Sequence, residues 1–129
     1  MKLVSRFAAL ALLAAPFTVP TAALAHTKVV ASTPAQGSTV ARPRVVTLTF
    51  SEALLPPTAA ASIVMTAMPG MANHSPMIIR NFATAWSNGN RTMTLSLRQP
   101  LRAGTYEVRW QAAGADGHRM KGVVNFVAS

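Results

Sequence analysis

The sequence predicts an all-β protein, an antiparallel β-sandwich or Greek-key barrel, and three observations support that class. Apolar residues recur at every second position in several stretches, which is typical of half-buried strands. Residues that favour turns separate those stretches, and no stretch carries a sustained helical period of 3.6 residues. About seven short strands in roughly 100 residues are typical of antiparallel sandwiches and Greek-key barrels.

The strands follow from the alternation and from residue type. In 91–97 the methionine and both leucines share one face, and in 105–110 Tyr106, Val108 and Trp110 do the same. β-Branched and aromatic residues mark further strands at 45–50 and 123–127, and less regular alternation adds 28–32, 61–66 and 78–86. Turns are expected between them at 34–37, 56–57, 88–90 and 102–104.

The N-terminus has the order of a secretory signal rather than of a folded element. Lys2 and Arg6 precede an apolar run at 7–15, and Ala23 to Ala25 form an A-x-A cleavage site. That run is shorter than the about 20 apolar residues that span a bilayer. We therefore expect residues 1–25 to be removed and 26–129 to form one exported, soluble domain that does not itself span a membrane.

The charge of the chain and its lack of cysteine limit the functions that the protein can have. Lysine and arginine number 12 against three acidic residues. Six of the eight arginines after residue 25 are spaced singly along the chain, which together with export argues against a nucleic-acid partner. They are Arg80, Arg91, Arg98, Arg102, Arg109 and Arg119. A solvated basic surface suited to anionic membranes or acidic partners is the simpler interpretation. Without cysteine, a site for a soft metal has to use methionine.

Four of the seven methionines lie within thirteen residues, together with one of the three histidines. They are Met65, Met68, Met71 and Met77, with His74. Proline and glycine at 69, 70 and 76 exclude a buried helical stripe, so the methionines are expected on a loop. Soft thioether sulfur suits Cu(I). The alternative is an apolar loop used for packing or protein contacts, and Met65, at a strand end, could equally lie in the core.

A second candidate site is divided along the chain. Cleavage after Ala25 would make His26 the first residue, with its α-amine and imidazole free to chelate one ion. Asp116 and His118, separated by glycine in a loop, add a carboxylate and a second imidazole. Such nitrogen and oxygen ligands suit Cu(II). The alternatives are an ordinary loop histidine and a turn-forming aspartate, and Glu52 could either support this site or simply end a strand.

Over nearly all of 26–129 the residues resemble the periplasmic copper-binding proteins of the CopC type, which include the PcoC proteins. The sequence V-M-T-A-M-P-G-M at 64–71, followed by H-S-P-M at 74–77, is the most specific part. The other shared positions are His26, 32–34, 50–52, Leu54, Pro100, Leu101, 103–106, Val108, Trp110, Ala112, Asp116, His118 and Gly122.

The resemblance implies an immunoglobulin-like Greek-key sandwich or barrel of seven to nine strands, with copper sites at opposite ends. It implies Cu(I) ligands at Met65, Met68, Met71 and Met77, with His74 as a further candidate. The implied Cu(II) ligands are His26, Asp116 and His118, with Glu52 less directly matched. Two positions depart from the family: Arg119 replaces a frequent proline, and Gly117 stands where some relatives have threonine.

The function implied is a non-enzymatic periplasmic copper carrier that supports copper resistance, homeostasis or delivery. Its implied partners are copper ions and either an inner-membrane copper transport protein of the CopD type or a periplasmic multicopper oxidase. Two alternatives remain from the residues alone. One is an oxidative copper enzyme of the histidine-brace type, and the other is an immunoglobulin-like structural or interaction module.

Overall fold

The computed structural model describes Pro16 and residues 27–71 and 75–129. His26, His74 and all of the expected signal segment except Pro16 lie outside the described residues. Within the described part the chain forms nine strands and one 3₁₀ turn at Pro56–Thr58. The strands are β1 Val29–Thr33, β2 Thr39–Val40, β3 Val45–Phe50, β4 Ala60–Ala67, β5 Met77–Ile79, β6 Phe82–Ser87, β7 Thr92–Leu97, β8 Gly104–Ala113 and β9 Arg119–Ala128.

The nine strands form two sheets that face each other across the core. One sheet has the order β1-β3-β7-β6 and the other has the order β2-β9-β8-β4-β5. All pairings are antiparallel except that of β2 with β9, which is parallel. The predicted all-β sandwich is confirmed.

Two details of the strand prediction were wrong. The stretch 78–86 is not one strand, because the chain leaves the five-stranded sheet after Ile79 and enters the other sheet at Phe82. The short strand β2 was missed, since two residues are too few to show an alternation.

The core confirms the predicted faces of the two most regular strands. Met93, Leu95 and Leu97 on β7 and Tyr106, Val108 and Trp110 on β8 are all buried. Phe50 ties the two sheets together, because its ring lies 4.8 Å from that of Trp110 in an edge-to-face arrangement and 6.2 Å from that of Trp86.

The connection between β7 and β8 is fixed by a buried tyrosine. The hydroxyl of Tyr106 donates a hydrogen bond of 2.7 Å to the carbonyl oxygen of Arg102, four residues upstream. This is the arrangement of the tyrosine corner found in immunoglobulin-like sandwiches. Burial raises the pKa of the Tyr106 hydroxyl, and the positive charge of Arg102 opposes that change. The bond holds the chain just before Gly104, where β8 begins.

Among the described residues, no helix is long and apolar enough to cross a membrane.

Candidate metal centres

The methionine-rich stretch begins on two paired strands at one end of the sandwich. Met65 on β4 lies directly opposite Met77 on β5, which is the edge strand of the five-stranded sheet. Residues directly opposite in an antiparallel pair present their side chains on the same face. The strand pairing therefore brings together two methionines that are twelve positions apart in the sequence.

A β-bulge near the end of β4 changes the direction of the next methionine. Met65 pairs with Tyr106 and Ala67 pairs with Thr105, so Thr66 is an extra residue in the ladder. Without the bulge, residues three apart would face opposite sides of the sheet. The extra residue resets the alternation, and Met68 packs against the same core as Met65.

Met68 and Met71 are joined by a tight turn. Their backbone groups exchange hydrogen bonds, of 3.0 Å from the Met71 amide and 3.5 Å from the Met68 amide. Pro69 follows as the second residue of the turn, and Gly70 as the third with φ of +78°. Proline followed by a glycine of positive φ is the signature of a type II turn. The turn places the two methionine side chains on one side of the ribbon.

The four methionines differ in how far solvent can reach them. Met71 and Met77 are 56% and 50% exposed, and Met68 is half-buried at the edge of the core. Met65 is only 4% exposed. At this end Met71 and Met77 therefore have solvent-exposed thioethers, and Met68 has a half-buried one. Met65 lies in the core, which was the alternative that the sequence left open for it.

The second candidate site lies on the loop between β8 and β9. The imidazole Nδ1 of His118 is 2.8 Å from Oδ2 of Asp116, and the His118 backbone amide donates a 3.0 Å hydrogen bond to Oδ1. Gly117 between them has φ of +81°, a backbone conformation that glycine adopts without steric cost. The hydrogen bond from the imidazole lowers the pKa of Asp116, and the same bond raises the pKa of His118. Because His118 uses Nδ1 for this bond, its Nε2 is the nitrogen left for a metal.

The residue that follows His26 is fixed beside this loop. Thr27 is buried, and its hydroxyl donates a 3.2 Å hydrogen bond to Oε2 of Glu52. Its backbone amide donates to the Met120 sulfur at 3.0 Å. A Cβ at Gly114 would stand 3.3 Å from Oδ1 of Asp116 and 4.0 Å from the Thr27 hydroxyl. Thr27 therefore lies next to Asp116.

Glu52 contacts Thr27 and is not grouped with Asp116 and His118. Among the described residues, no three histidine, cysteine, aspartate or glutamate side chains lie close enough together to hold a metal ion. Thr27 and the sulfur of Met120 were not predicted from the sequence as contacts of this region. Neither is visible from spacing, because the hydrogen bond between them joins residues 93 positions apart.

The two candidate sites lie at opposite ends of strand β8. Gly104 at its start contacts Met65 and Ala67, and Gly114, just after its end, lies beside Asp116 and Thr27. A strand rises about 3.3 Å per residue, so these ends are about 30 Å apart. One ion could not contact both ends at once.

This fold, with methionines at one end and an aspartate–histidine pair at the other, defines the class of a small metal-binding β-sandwich. Residues 29–129 match the family model of the CopC domain. The chain therefore belongs to the CopC family, whose members are copper-binding resistance proteins and not enzymes. The oxidative copper enzyme considered from the sequence is thereby set aside.

Individual relatives agree with the family match. The chain is 44% identical over 124 residues to copper resistance protein C of Pseudomonas syringae pv. tomato, covering 96% of this chain and 97% of that protein. Copper resistance protein C of Xanthomonas campestris pv. juglandis is 36% identical over 104 residues, covering 81% of this chain and 80% of that protein. The crystal structure of PcoC, a methionine-rich copper resistance protein from Escherichia coli, is 35% identical. Its TM-score is 0.72, and the match covers 81% of this chain and 100% of that one.

Proposed function

We propose that this copper-binding protein is a periplasmic carrier that holds Cu(I) at its methionine end and Cu(II) at its N-terminal end. The observation that carries the proposal is the exposure of two methionines at this end: Met71, which a tight turn joins to Met68, and Met77, which lies opposite Met65 on the edge strand β5. Large apolar side chains kept in solvent at a strand edge do not serve core packing. Thioethers in that position are available to Cu(I), which prefers soft ligands.

The Cu(I) ligands of this proposal are Met68, Met71 and Met77, with His74 and Met65 as additional candidates. Met65 would need to turn its sulfur out of the core, because it is buried against Gly104. Neutral thioethers lose no proton on binding, so protons do not compete with the metal there. Binding at this end is expected to persist in mild acid.

The Cu(II) ligands of this proposal are the α-amine and imidazole of His26, with His118 and Asp116. The support comes from Thr27, which lies beside the Asp116 loop and directly follows His26 in the sequence. Asp116 either binds the ion directly or orients the His118 ring through Nδ1. Glu52 acts on this site through Thr27.

The carrier mechanism follows from the different ligand chemistry of the two ends. When an external one-electron oxidant or reductant changes the oxidation state of the copper, the other end binds it better, so cargo is released without unfolding of the protein. In this proposal residues 1–25 direct export and are removed after Ala25. A CopD-type inner-membrane transport protein or a periplasmic multicopper oxidase then receives the copper.

The test is native mass spectrometry of the exported protein, with and without each form of copper. One Cu(I) and one Cu(II) are expected per chain, with His26 as the first residue. Changing Met68, Met71 and Met77 together to leucine keeps size and apolarity, so Cu(I) should be lost while the fold and Cu(II) binding remain. The matched control is Met93→Leu in the core. A triple variant that kept its Cu(I) would exclude the thioether site, and a different first residue would exclude the amine ligand.

The pH dependence separates the two ends in the same protein. The α-amine and imidazole titrate near about 8 and about 6.5 when free, and protons compete with Cu(II) for both. Cu(II) binding should therefore weaken by about pH 5 while Cu(I) binding persists. An equally steep loss of Cu(I) in acid would contradict ligation by thioethers.

A further inference from the structure

Five arginines that are spread over sixty residues of sequence meet at the methionine end of the sandwich. We call this group the arginine cluster; it consists of Arg42, Arg44, Arg80, Arg98 and Arg102, and all five are exposed. Half of the ten lysines and arginines that follow the signal segment are in this group. The wide spacing of the arginines in the sequence is therefore not their arrangement in the folded protein.

Hydrogen bonds between neighbouring segments hold the cluster together. The amide of Arg98 donates to the carbonyl of Asn81 at 3.0 Å, which places Arg80 beside it. The guanidinium of Arg44 donates to the carbonyls of Leu97, at 3.2 Å, and Arg98, at 2.9 Å.

One more hydrogen bond between segments connects the remaining two arginines, Arg42 and Arg102, to the cluster. The amide of Leu101 donates to the carbonyl of Pro43 at 2.9 Å. Pro43 separates Arg42 from Arg44, and Leu101 precedes Arg102. One continuous set of contacts thus links all five positions.

Among the described residues, no acidic side chain neutralises the cluster. The chain has three acidic residues, and Asp116 lies at the opposite end of β8. Glu52 is bonded to Thr27 near that end, and Glu107 is paired with Arg109 at 2.8 Å. Within the described part of the chain, none of the five arginines forms a salt bridge. The methionine end therefore carries about five positive charges that no side-chain carboxylate neutralises.

The cluster borders the methionines on two sides. Arg80 follows directly after β5, the strand that begins with Met77. Arg102 lies two residues before Gly104, which contacts Met65 and Ala67. A protein that approached the exposed thioethers would meet guanidinium groups at the same time.

We propose that the arginine cluster is a docking surface for an acidic protein that exchanges Cu(I) with the methionines. This inference rests on the carrier function proposed above. Guanidinium groups bind carboxylates through paired hydrogen bonds, and a concentrated charge of one sign accelerates the encounter with a partner of opposite sign. A protein rather than a lipid surface is favoured because Cu(I) moves by ligand exchange, and the recipient has to supply soft ligands of its own.

The experiment uses two synthetic peptides with the same Met-x-x-Met core, one flanked by aspartates and the other by asparagines. Transfer of Cu(I) from the loaded protein to each peptide is followed by stopped-flow at 50 mM and 500 mM NaCl. The test variant changes Arg80, Arg98 and Arg102 to glutamine, because no hydrogen bond involves their guanidinium groups within the described residues. The matched control removes three charges elsewhere, by changing Lys28, Arg119 and Lys121 to glutamine.

The test variant should transfer copper to the aspartate peptide about tenfold more slowly at low salt, with the difference shrinking at high salt. Transfer to the asparagine peptide should be unchanged, and the control variant should behave as wild type. An equal loss in both variants would overturn the proposal, since net charge alone would explain it. Binding of wild type, but not of the test variant, to phosphatidylglycerol vesicles with unchanged peptide transfer would also overturn it in favour of a membrane.

Docking is also measured without metal, by fluorescence anisotropy of the labelled peptides with copper-free protein. The aspartate peptide should bind more tightly than the asparagine peptide, and only the test variant should lose that preference. This measurement distinguishes the proposed docking surface from the proposed carrier function. A protein that binds no Cu(I) but keeps the preference contradicts the carrier function alone, and one that binds Cu(I) without the preference contradicts the docking surface alone.

Discussion

Met65 and Gly104 lie in direct contact at the start of β8, and the glycine leaves room for the methionine. A Cβ at Gly104 would stand 3.3 Å from the Met65 methyl carbon and 2.7 Å from the carbonyl oxygen of Ala67. The second distance is too short for a real Cβ, and a backbone carbonyl cannot move aside as a flexible side chain can. The close approach occurs at the bulge that redirects Met68, so Gly104 supports the geometry of the methionine end.

Gly104→Ala should destabilise the protein by about 1–3 kcal/mol, the usual cost of overpacking a tight interior site. The measurement is the urea concentration at the midpoint of unfolding, with Ala103→Ser at the exposed neighbouring position as the control. We also expect weaker Cu(I) binding, because relief of the clash moves the bulge. An unfolding midpoint equal to that of the control would show that the backbone adjusts freely there.

Gly70→Ala should weaken Cu(I) binding without a comparable loss of overall stability. Gly70 has φ of +78°, and a Cβ there would meet nothing within 4 Å, so the substitution strains only the turn between Met68 and Met71. The cost of that conformation for alanine is about 1–2 kcal/mol, which corresponds to about a tenfold change in affinity if it opposes the bound geometry.

The matched control for the turn is Gly70→Asn, because asparagine tolerates a positive φ better than alanine. Competition titration with a Cu(I) chelator gives both affinities. Equal affinities for the alanine and asparagine variants would mean that the turn does not position the thioethers.

The alternation of side chains was enough to predict most of the fold. Each half-buried strand repeats its inward residues every second position, so β3, β7, β8 and β9 could be placed from the sequence. The division of 78–86 into β5 and β6 could not, because both strands are short and the change of sheet leaves no mark in the alternation.

The chemistry of the methionine end could be predicted, but its geometry could not. Residue type pointed to thioether ligands, whereas the inward turn of Met68 depends on the bulge at Thr66. The arginine cluster was likewise hidden, because hydrogen bonds between distant segments create it. Pairing between strands is a property of the fold and not of local sequence.

Met120→Leu should loosen the segment around Thr27. The sulfur of Met120 accepts the hydrogen bond of the buried Thr27 amide, and leucine offers no acceptor. A buried amide left without an acceptor costs about 1–3 kcal/mol, which corresponds to faster exchange of that amide by roughly fivefold or more.

Hydrogen exchange of the Thr27 amide measures this effect. The control is Met93→Leu, the same substitution at a position in the core. Under the proposed function, Cu(II) affinity should fall in Met120→Leu only, because Thr27, which directly follows the proposed ligand His26, loses its fixed position. Unchanged Thr27 exchange would show that the sulfur bond contributes nothing to the order of this segment.

The ion pair of Asp116 and His118 gives the metal-free protein a defined pH dependence. The pKa of His118 is raised above 6.5, so its contribution to folding is fully present below that pH and is lost as the pH rises through the folded value. The pKa of Asp116 is lowered below 3.8, so its contribution is present above that pH and is lost as the pH falls through the folded value. The pair is therefore fully formed between about pH 4 and pH 6.5, although solvent screens both exposed side chains.

Asp116→Asn should bring the pKa of His118 down toward 6.5, because the hydrogen bond to the carboxylate is the main cause of the rise. The measurement is the chemical shift of the His118 ring protons against pH in the copper-free protein. Cu(II) affinity should fall in the same variant even though protons compete less for the ring, since a ligand or orienting group is lost. Glu107→Gln, which removes a carboxylate on β8 away from His118, serves as the control for the change in net charge. If the His118 pKa stayed raised in Asp116→Asn, the rise would have to come from a group other than Asp116, and Asp116 could not be the residue that orients the ring.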